Sequence, residues 1–390
     1  MPTPLLPVPI PCSLPDYSSR LHLIINVPIL RNDRYQKNTV RPTLERKMWR
    51  ICVAFAAFVT CGNARLGCKN MEGEDVDWFA AIKLPPGVDV RKGKSFVYFD
   101  STQDGWKMSS QPVDSKKSAI GATINQIYKV DKKKTFTIAY NDDSPVKAVE
   151  SGRGHSKGVA AFNSDVGFWM VHSVPNFPPI KKYDYPKSGT RFAQSFLCLS
   201  LSTNALEDVG QYMRFAQVTP FLSNLPASFK VLAPSLVDVV NKKSPSKSAS
   251  DFTTIRTIVT LNGKKAKGFA KGKKFGADLW YKFIAPNLKT SMAVETWRGG
   301  NAEDVGTTCG NKQNVYDVSS VTVLNTTFAN SMDHSKWGVS MEQKIPAVCI
   351  GDVNRQVSQY KRGGGAVCIE DLKLWRTFYK SVGEYENCPI

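Results

Sequence analysis

The sequence predicts an α/β chain built as two similar halves, and three observations carry that expectation. β-type runs and helical patches occur on both sides of a polar, breaker-rich stretch at 241–250. A His-Ser-Lys pattern occurs twice, as His155-Ser156-Lys157 and His334-Ser335-Lys336, one copy on each side of that stretch. Each copy is trailed at near-equal distance by an asparagine, Asn176 at 19 residues after Lys157 and Asn354 at 18 after Lys336. On an extended strand a His and a Lys two positions apart share one face, so each copy presents both side chains together. The chain has four histidines. Two sit in these copies, His172 follows the first, and His22 lies near the N-terminus.

The elements follow from periodicity and punctuation. Residues 77–84 form a β-type run closed by Pro85-Pro86, and 95–100 and 135–140 are two more, the last broken by Asn141-Asp142-Asp143. A helical patch lies near 120–130. The run 168–174 is strongly β-type and ends at Pro175, and 191–201 is another, containing Cys198. A helix is expected over 204–216. Beyond the linker come strand 253–261, a lysine-rich run at 264–274, a helix at 277–288 and a strand at 290–297. An amphipathic helix over 370–382 closes the chain, with Leu372, Trp375, Phe378 and Tyr379 at helical spacing. The domain reading is therefore an N-terminal half at 65–245 and a C-terminal half at 246–390.

The N-terminus reads differently. Lys47-Met48-Trp49-Arg50, an apolar run of eleven residues at 51–61 interrupted by Thr60 alone, and the small-residue stretch 62–64 have the pattern of a signal peptide over 48–64. Eleven residues are too few to cross a bilayer, which takes about 20, so no membrane span is expected and the product enters the secretory pathway. Residues 1–47, rich in proline, read as a non-native or disordered extension, with Met48 as the start. Six cysteines follow residue 64: Cys68, Cys198, Cys309, Cys349, Cys368 and Cys388. An even count in an oxidising compartment implies three disulfides, which six cysteines can form in 15 ways. Asn325-Thr326-Thr327 is a glycosylation sequon.

The net charge of the chain is +19, and residues after 64 keep 44 basic against 30 acidic side chains. Such a balance suits a polyanionic partner such as nucleic acid or an acidic lipid surface. The run 264–274 holds six lysines. It reads either as a solvated face or as a contact to a phosphate backbone.

Two His-x-Lys pairs converging on one pocket suit a phosphodiester. Each lysine supplies positive charge where charge develops on the non-bridging oxygens. One imidazole attacks phosphorus, and the other, protonated, donates to the leaving oxygen and then activates water. The acid step needs a cationic imidazole, whose ordinary pKa is about 6.5, so activity at acidic pH is expected. No metal and no cofactor are expected. His172, on an apolar strand, reads either as a core histidine or as a phosphate contact, the latter favoured. Asn176 and Asn354 are expected oxyanion or orienting amides.

The chain resembles the deoxyribonuclease II family, the acid nucleases of lysosomes, and through them the phospholipase D superfamily. The resemblance rests on Val76-Asp77-Trp78-Phe79, Gly154-His155-Ser156-Lys157-Gly158-Val159, the run from Val171 to Pro179, Asp333-His334-Ser335-Lys336-Trp337, Gly351-Asp352 with Asn354-Arg355, and Arg362-Gly363-Gly364-Gly365. It extends from about 66 to 388. It implies a phospholipase D-like α/β fold: two similar halves of mixed β-sheet flanked by helices, sharing a pseudo-two-fold active site within one chain. It implies metal-independent hydrolysis of DNA to 3′-phosphate and 5′-hydroxyl ends, with His155, Lys157, His334 and Lys336 catalytic and His155, by analogy, the nucleophile. It places the enzyme in the lysosome or outside the cell, acting on DNA of engulfed or dying cells. It pairs Cys68–Cys198, Cys309–Cys388 and Cys349–Cys368. The superfamily's usual aspartate after each His-x-Lys is replaced by Phe162 in the first half, and Glu342 lies near its place in the second. Asp165, Asp352 or Glu342 could take that role. Two other readings keep the fold: a lipid phosphodiesterase, and an inactive DNA-binding homologue.

Overall fold

The structure, a computed structural model, describes residues 65–245, 251–300 and 302–389. The expected extension at 1–47, the leader at 48–64 and residues 246–250 of the linker lie outside the described residues. A short hairpin of β1 (Cys68–Lys69) and β2 (Asp75–Val76) leads into the first large sheet. That sheet contains β3 (Trp78–Lys83), β4 (Phe96–Asp100), β5 (Lys107–Met108), β6 (Phe136–Asn141), β7 (Lys157–Phe162), β8 (Val166–His172), β9 (Gln194–Ser202) and β10 (Pro220–Asn224). Its spatial order is β10-β6-β7-β8-β9-β3-β4-β5. The second sheet contains β11 (Thr253–Val259), β12 (Lys265–Lys271), β13 (Met292–Thr296), β14 (Val315–Val323), β15 (Thr326–Ala329), β16 (Lys336–Ser340), β17 (Ala347–Gly351), β18 (Gly364–Glu370) and β19 (Val382–Tyr385). Its order is β11-β12-β18-β17-β16-β13-β14-β15, with β19 also on β14. The β13–β14 pair is parallel and the rest of the second sheet antiparallel, so this sheet is mixed.

The β-type runs expected from sequence all fall on these strands. Strand β3 shows why: Trp78, Ala80 and Ile82 belong to one apolar cluster and Phe79 and Ala81 to another. Alternate side chains leave opposite faces, so a strand apolar on both is buried on both. The largest cluster holds Trp78, Trp169 and Leu199 of the first sheet together with Trp337, Ile350 and Val367 of the second, so the two sheets share one core. Tyr212 and Met213 of helix Leu206–Phe215, and Trp375 and Phe378 of helix Leu372–Ser381, enter that core too. The second of these helices starts where Asp371 accepts the amides of Lys373 and Leu374, an N-cap that begins it two residues later than periodicity suggested. On the outer faces, Ile120 and Ile124 of helix Ala119–Ile124 cover the first sheet, and Trp280, Phe283 and Ile284 cover the second. The helix expected at 277–288 is wound as a π-turn over Trp280–Ile284 before its α-helical end at Ala285–Leu288.

The lysine-rich run is a strand. Ala266 and Ala270 of β12 face the shared core, and Phe269 faces the outer cluster. Lys264 is paired with Asp371 at 2.7 Å and Lys267 with Glu370 at 3.0 Å, while the Lys271 ammonium is buried against backbone carbonyls. Lys274 lies over the Phe252 ring at 5.3 Å, so at least four of the six lysines are already engaged, which weakens the expected phosphate contact along this run.

Among the described residues three disulfides are formed, Cys68–Cys198, Cys309–Cys388 and Cys349–Cys368. The first ties β1 to β9 across 130 residues of sequence. Replacing Cys68 and Cys198 together by serine is expected to cost about 2–5 kcal/mol of unfolding free energy. Denaturant unfolding of the double variant measures it, and an unchanged midpoint would count against a stabilising role for this bond.

Candidate active site

Both His-Ser-Lys copies stand at the entrance to a strand. Lys157 is the first residue of β7 and Lys336 the first of β16. Each histidine is pinned through its backbone to the other half of the chain. The His155 amide donates to the Gly363 carbonyl at 2.9 Å, and the His334 amide donates to the Ala193 carbonyl at 3.0 Å. Gly154 must be glycine, because a Cβ there would lie 2.1 Å from the Ala216 carbonyl oxygen.

These contacts bring His155, Lys157, His334 and Lys336 to one cavity of about 280 Å³, whose wall also includes Asn354, Ser173, Trp297, Gln356 and Gln359. Asn354 has a buried side-chain oxygen with no hydrogen-bond partner. It is held there by its neighbour Arg355, which is fully buried and paired with Asp317 and Asp278.

His172 and Asn176 are not part of the wall. Alternation on β8 turns the His172 ring into the core, 5.3 Å from Phe177 and 6.0 Å from Phe196, where its Nδ1 accepts the Val174 amide. Ser173 takes the cavity position instead. Burial, with a smaller contribution from Lys157, lowers the His172 pKa to about 3. This corrects the favoured sequence reading of His172 as a phosphate contact. Asn176 adopts a left-handed backbone with φ 55°. Its amide donates to Asp143 Oδ1 at 2.8 Å and its oxygen accepts from Ser188 at 2.8 Å, so it clamps a loop. The sequence repeat Asn176/Asn354 is thus not a repeat of environment.

Asp143 lines the cavity, and the carboxylate paired with the first motif is its neighbour Asp142, which sequence reasoning treated only as a strand breaker. Lys157 pairs with its Oδ1 at 2.5 Å, Arg362 with its Oδ2 at 2.9 Å, and His155 Nε2 lies 3.9 Å from Oδ2. Burial alone would raise the Asp142 pKa, but Lys157, His155 and Arg362 outweigh it and hold the carboxyl well below the usual range. Of the carboxylates suggested from sequence, Asp165 sits in the turn at the far end of β7, and Glu342 pairs with Lys344 beyond the far end of β16. Strand length keeps both away from the histidines. Asp352 is close, accepting the Gly365 amide at 2.8 Å, and burial lifts its pKa to about 7.

The two histidines have different neighbours. His334 lies between aromatic rings, with Phe192 stacked at 3.9 Å and 13° and Trp297 at 4.5 Å. His155 faces the Asp142–Arg362 pair. Burial, then Lys157, pushes the His155 pKa well below its ordinary value, although Asp142 opposes this. Burial, then Lys336, pushes that of His334 to about 3. Burial and Lys157 also lower Lys336 to about 7. Neither Phe192 nor Trp297 carried a sequence signal, since each is remote in the chain from the motif it touches. Among the described residues no group of three or more His, Cys, Asp or Glu side chains is placed to hold a metal ion.

The deoxyribonuclease II family model matches residues 67–388, which include every residue of this cavity. The chain belongs to the deoxyribonuclease II family. It is 42% identical over 336 residues to cell-death-related nuclease 7 of Caenorhabditis elegans, covering 86% of this chain and 91% of that one. It is 34% identical over 334 residues to plancitoxin-1 of Acanthaster planci, covering 83% and 92%. It is 32% identical over 343 residues to human deoxyribonuclease-2-beta, covering 85% and 94%. The protein is a deoxyribonuclease, a hydrolase that degrades DNA. No helix among the described residues of this nuclease is long and apolar enough to cross a membrane.

Proposed function

We propose that this nuclease cleaves DNA at acidic pH without metal, through a phospho-histidine. The observation that carries the reading is the convergence of His155, Lys157, His334 and Lys336 on one cavity. In the first step an imidazole nitrogen of His155 attacks phosphorus. The P–O5′ bond breaks, and the departing 5′-oxygen takes a proton from His334. In the second step His334 takes a proton from water, which attacks phosphorus and breaks the P–N bond. The products are a 5′-hydroxyl and a 3′-phosphate. Lys157 and Lys336 neutralise charge on the non-bridging oxygens, and Asn354 offers its amide to the same oxygens.

The strand orders support relating the halves as a phospholipase D-like pair. The path β6-β7-β8-β9-β3 around Lys157 has the same chain order as β13-β16-β17-β18-β12 around Lys336; the next strand outward differs, since β4 follows β3 in the chain whereas β11 precedes β12. We assign the halves to 65–245 and 246–390, and 48–64 to a leader that directs the enzyme to the lysosome or outside the cell. There it degrades DNA of dying cells, consistent with the printed name of its C. elegans relative. Asn325, exposed in the turn between β14 and β15, is the proposed glycosylation site.

The pH dependence follows from the shifted groups. The Lys336 charge is fully present below about 7 and is lost as pH rises through that value, so kcat/KM is expected to fall there. Burial disfavours the charged form of both imidazoles in the free enzyme, which suits a nucleophile but not an acid. A bound phosphate anion favours protonation of His334 and raises its pKa in the complex. The alkaline limb of kcat is therefore expected at higher pH than that of an unbound His334. The decisive assay is plasmid nicking at about pH 5 in EDTA, with new ends tested as kinase substrates before and after phosphatase. Ends labelled at the 5′ position without phosphatase treatment support the mechanism. A requirement for Mg²⁺, or 5′-phosphate ends, overturns it.

A further inference from the structure

Two lysines outside the His-Ser-Lys motifs occupy matching places in the two sheets. Lys83 is the last residue of β3 and Lys271 the last of β12, and both side chains are fully buried. Lys83 is paired in register with Gln194, the first residue of β9, and Lys271 with Gly364, the first of β18. A buried ammonium is costly unless its donors are used. Both lysines use theirs on carbonyls of the segment that enters the neighbouring strand. Lys83 donates to the Thr190 carbonyl at 3.2 Å and to that of Phe192. Lys271 donates to the carbonyls of Gln359, Tyr360 and Arg362 at 3.1, 3.2 and 2.6 Å, which occupies all three N–H groups of an ammonium.

The residue that follows each capped segment is the one that receives a histidine from the other half. Ala193 follows Phe192 and accepts the His334 amide, and Gly363 follows Arg362 and accepts the His155 amide. The capped residues also set side chains against those same histidines. Phe192 stacks on His334, and Arg362 pairs with Asp142 beside His155. We infer that Lys83 and Lys271 are a crossed pair of positioning residues: each lysine, by capping its own segment, orients the histidine of the opposite half. Lys83 sets His334, and Lys271 sets His155. Burial lowers the Lys83 pKa to about 7 and that of Lys271 to about 8; Asp333 and Asp89 oppose this for Lys83, Asp278 and Asp352 for Lys271. The functional part of this inference rests on His155 and His334 being catalytic; the crossed positioning does not.

The chain has four histidines, so their ring signals are few enough to assign by single His→Gln variants. In the full-length protein with ¹³C-labelled histidine, Lys83→Met is expected to move the His334 ring resonance and leave His155 in place. Lys271→Met is expected to do the reverse. In each variant kcat falls by about 10- to 100-fold, as small displacements of reacting groups do, while KM changes by less than about threefold. Lys83→Gln and Lys271→Gln keep one donor toward the carbonyls and are expected to show the same crossed pattern with smaller shifts. They carry the test if the methionine variants do not fold. The inference is overturned if both rings move alike in each variant, if neither moves, or if each lysine moves the ring of its own half. Should the catalytic reading fail instead, His155→Ala and His334→Ala would still cleave DNA while the crossed shifts persisted.

Discussion

His155→Ala and His334→Ala each lose plasmid cleavage at about pH 5 in EDTA, by roughly 10⁴-fold or more, the scale on which removal of a covalent nucleophile or its proton donor acts. The two variants are expected to differ on an activated substrate. With thymidine 3′-(p-nitrophenyl phosphate), the leaving phenolate needs no proton. His334→Ala should therefore release a burst of p-nitrophenol and stall as a phospho-enzyme, whereas His155→Ala should release none. A burst from His155→Ala and none from His334→Ala would exchange the roles of the two rings. Retained nicking by both variants would overturn the shared cavity as the site of chemistry. Their different surroundings make the comparison informative, since one ring lies between Phe192 and Trp297 and the other beside a carboxylate.

Asp142→Asn is expected to damage both activity and stability. The carboxylate is almost fully buried and is the counter-charge to Lys157 and Arg362, with His155 beside it. Its loss leaves two cations facing each other across the junction of the halves. Breaking a buried pair in this way costs about 3–5 kcal/mol. It also frees Lys157 and His155 from the geometry that aims them, so kcat should fall by about 10²-fold or more. Asp165→Asn and Glu342→Gln serve as controls, because both side chains lie away from the cavity. Each should stay within about 0.5 kcal/mol of the parent in denaturant unfolding and keep full activity. An Asp142→Asn protein indistinguishable from these controls would remove Asp142 from the site.

How far the site was legible depends on distance along the chain. His155, Lys157, His334 and Lys336 were found because each pair is contiguous and the pattern recurs, and Asn354 because it follows at a matching interval. Asn176 met the same interval criterion and His172 was favoured for its place beside it, and both still fall outside the cavity. A spacing rule does not say which face a strand presents, and on β8 the face with His172 is the apolar one. Asp142 was passed over because Asn141-Asp142-Asp143 has the composition of a turn, and its partners Lys157 and Arg362 are 15 and 220 residues away. Lys271 was hidden in a run that resembles a solvated face. The alternation of Ala266, Gly268 and Ala270 that makes the run a strand carries little hydrophobic contrast.

By itself the sequence determined the α/β class, the positions of seven strands (β3, β4, β6, β8, β9, β11 and β13), the two His-Ser-Lys motifs and a polyanionic substrate. All of these are encoded locally, in side-chain alternation, in short motifs or in summed charge. Only the tertiary structure decided that each histidine is held by a carbonyl of the other half, that Asp142 balances the first motif, and that Phe192 and Trp297 enclose the second ring. Those relations join residues tens to hundreds of positions apart. They exist only because burial of Trp78, Trp169 and Trp337 in one core brings the strand ends of both sheets together.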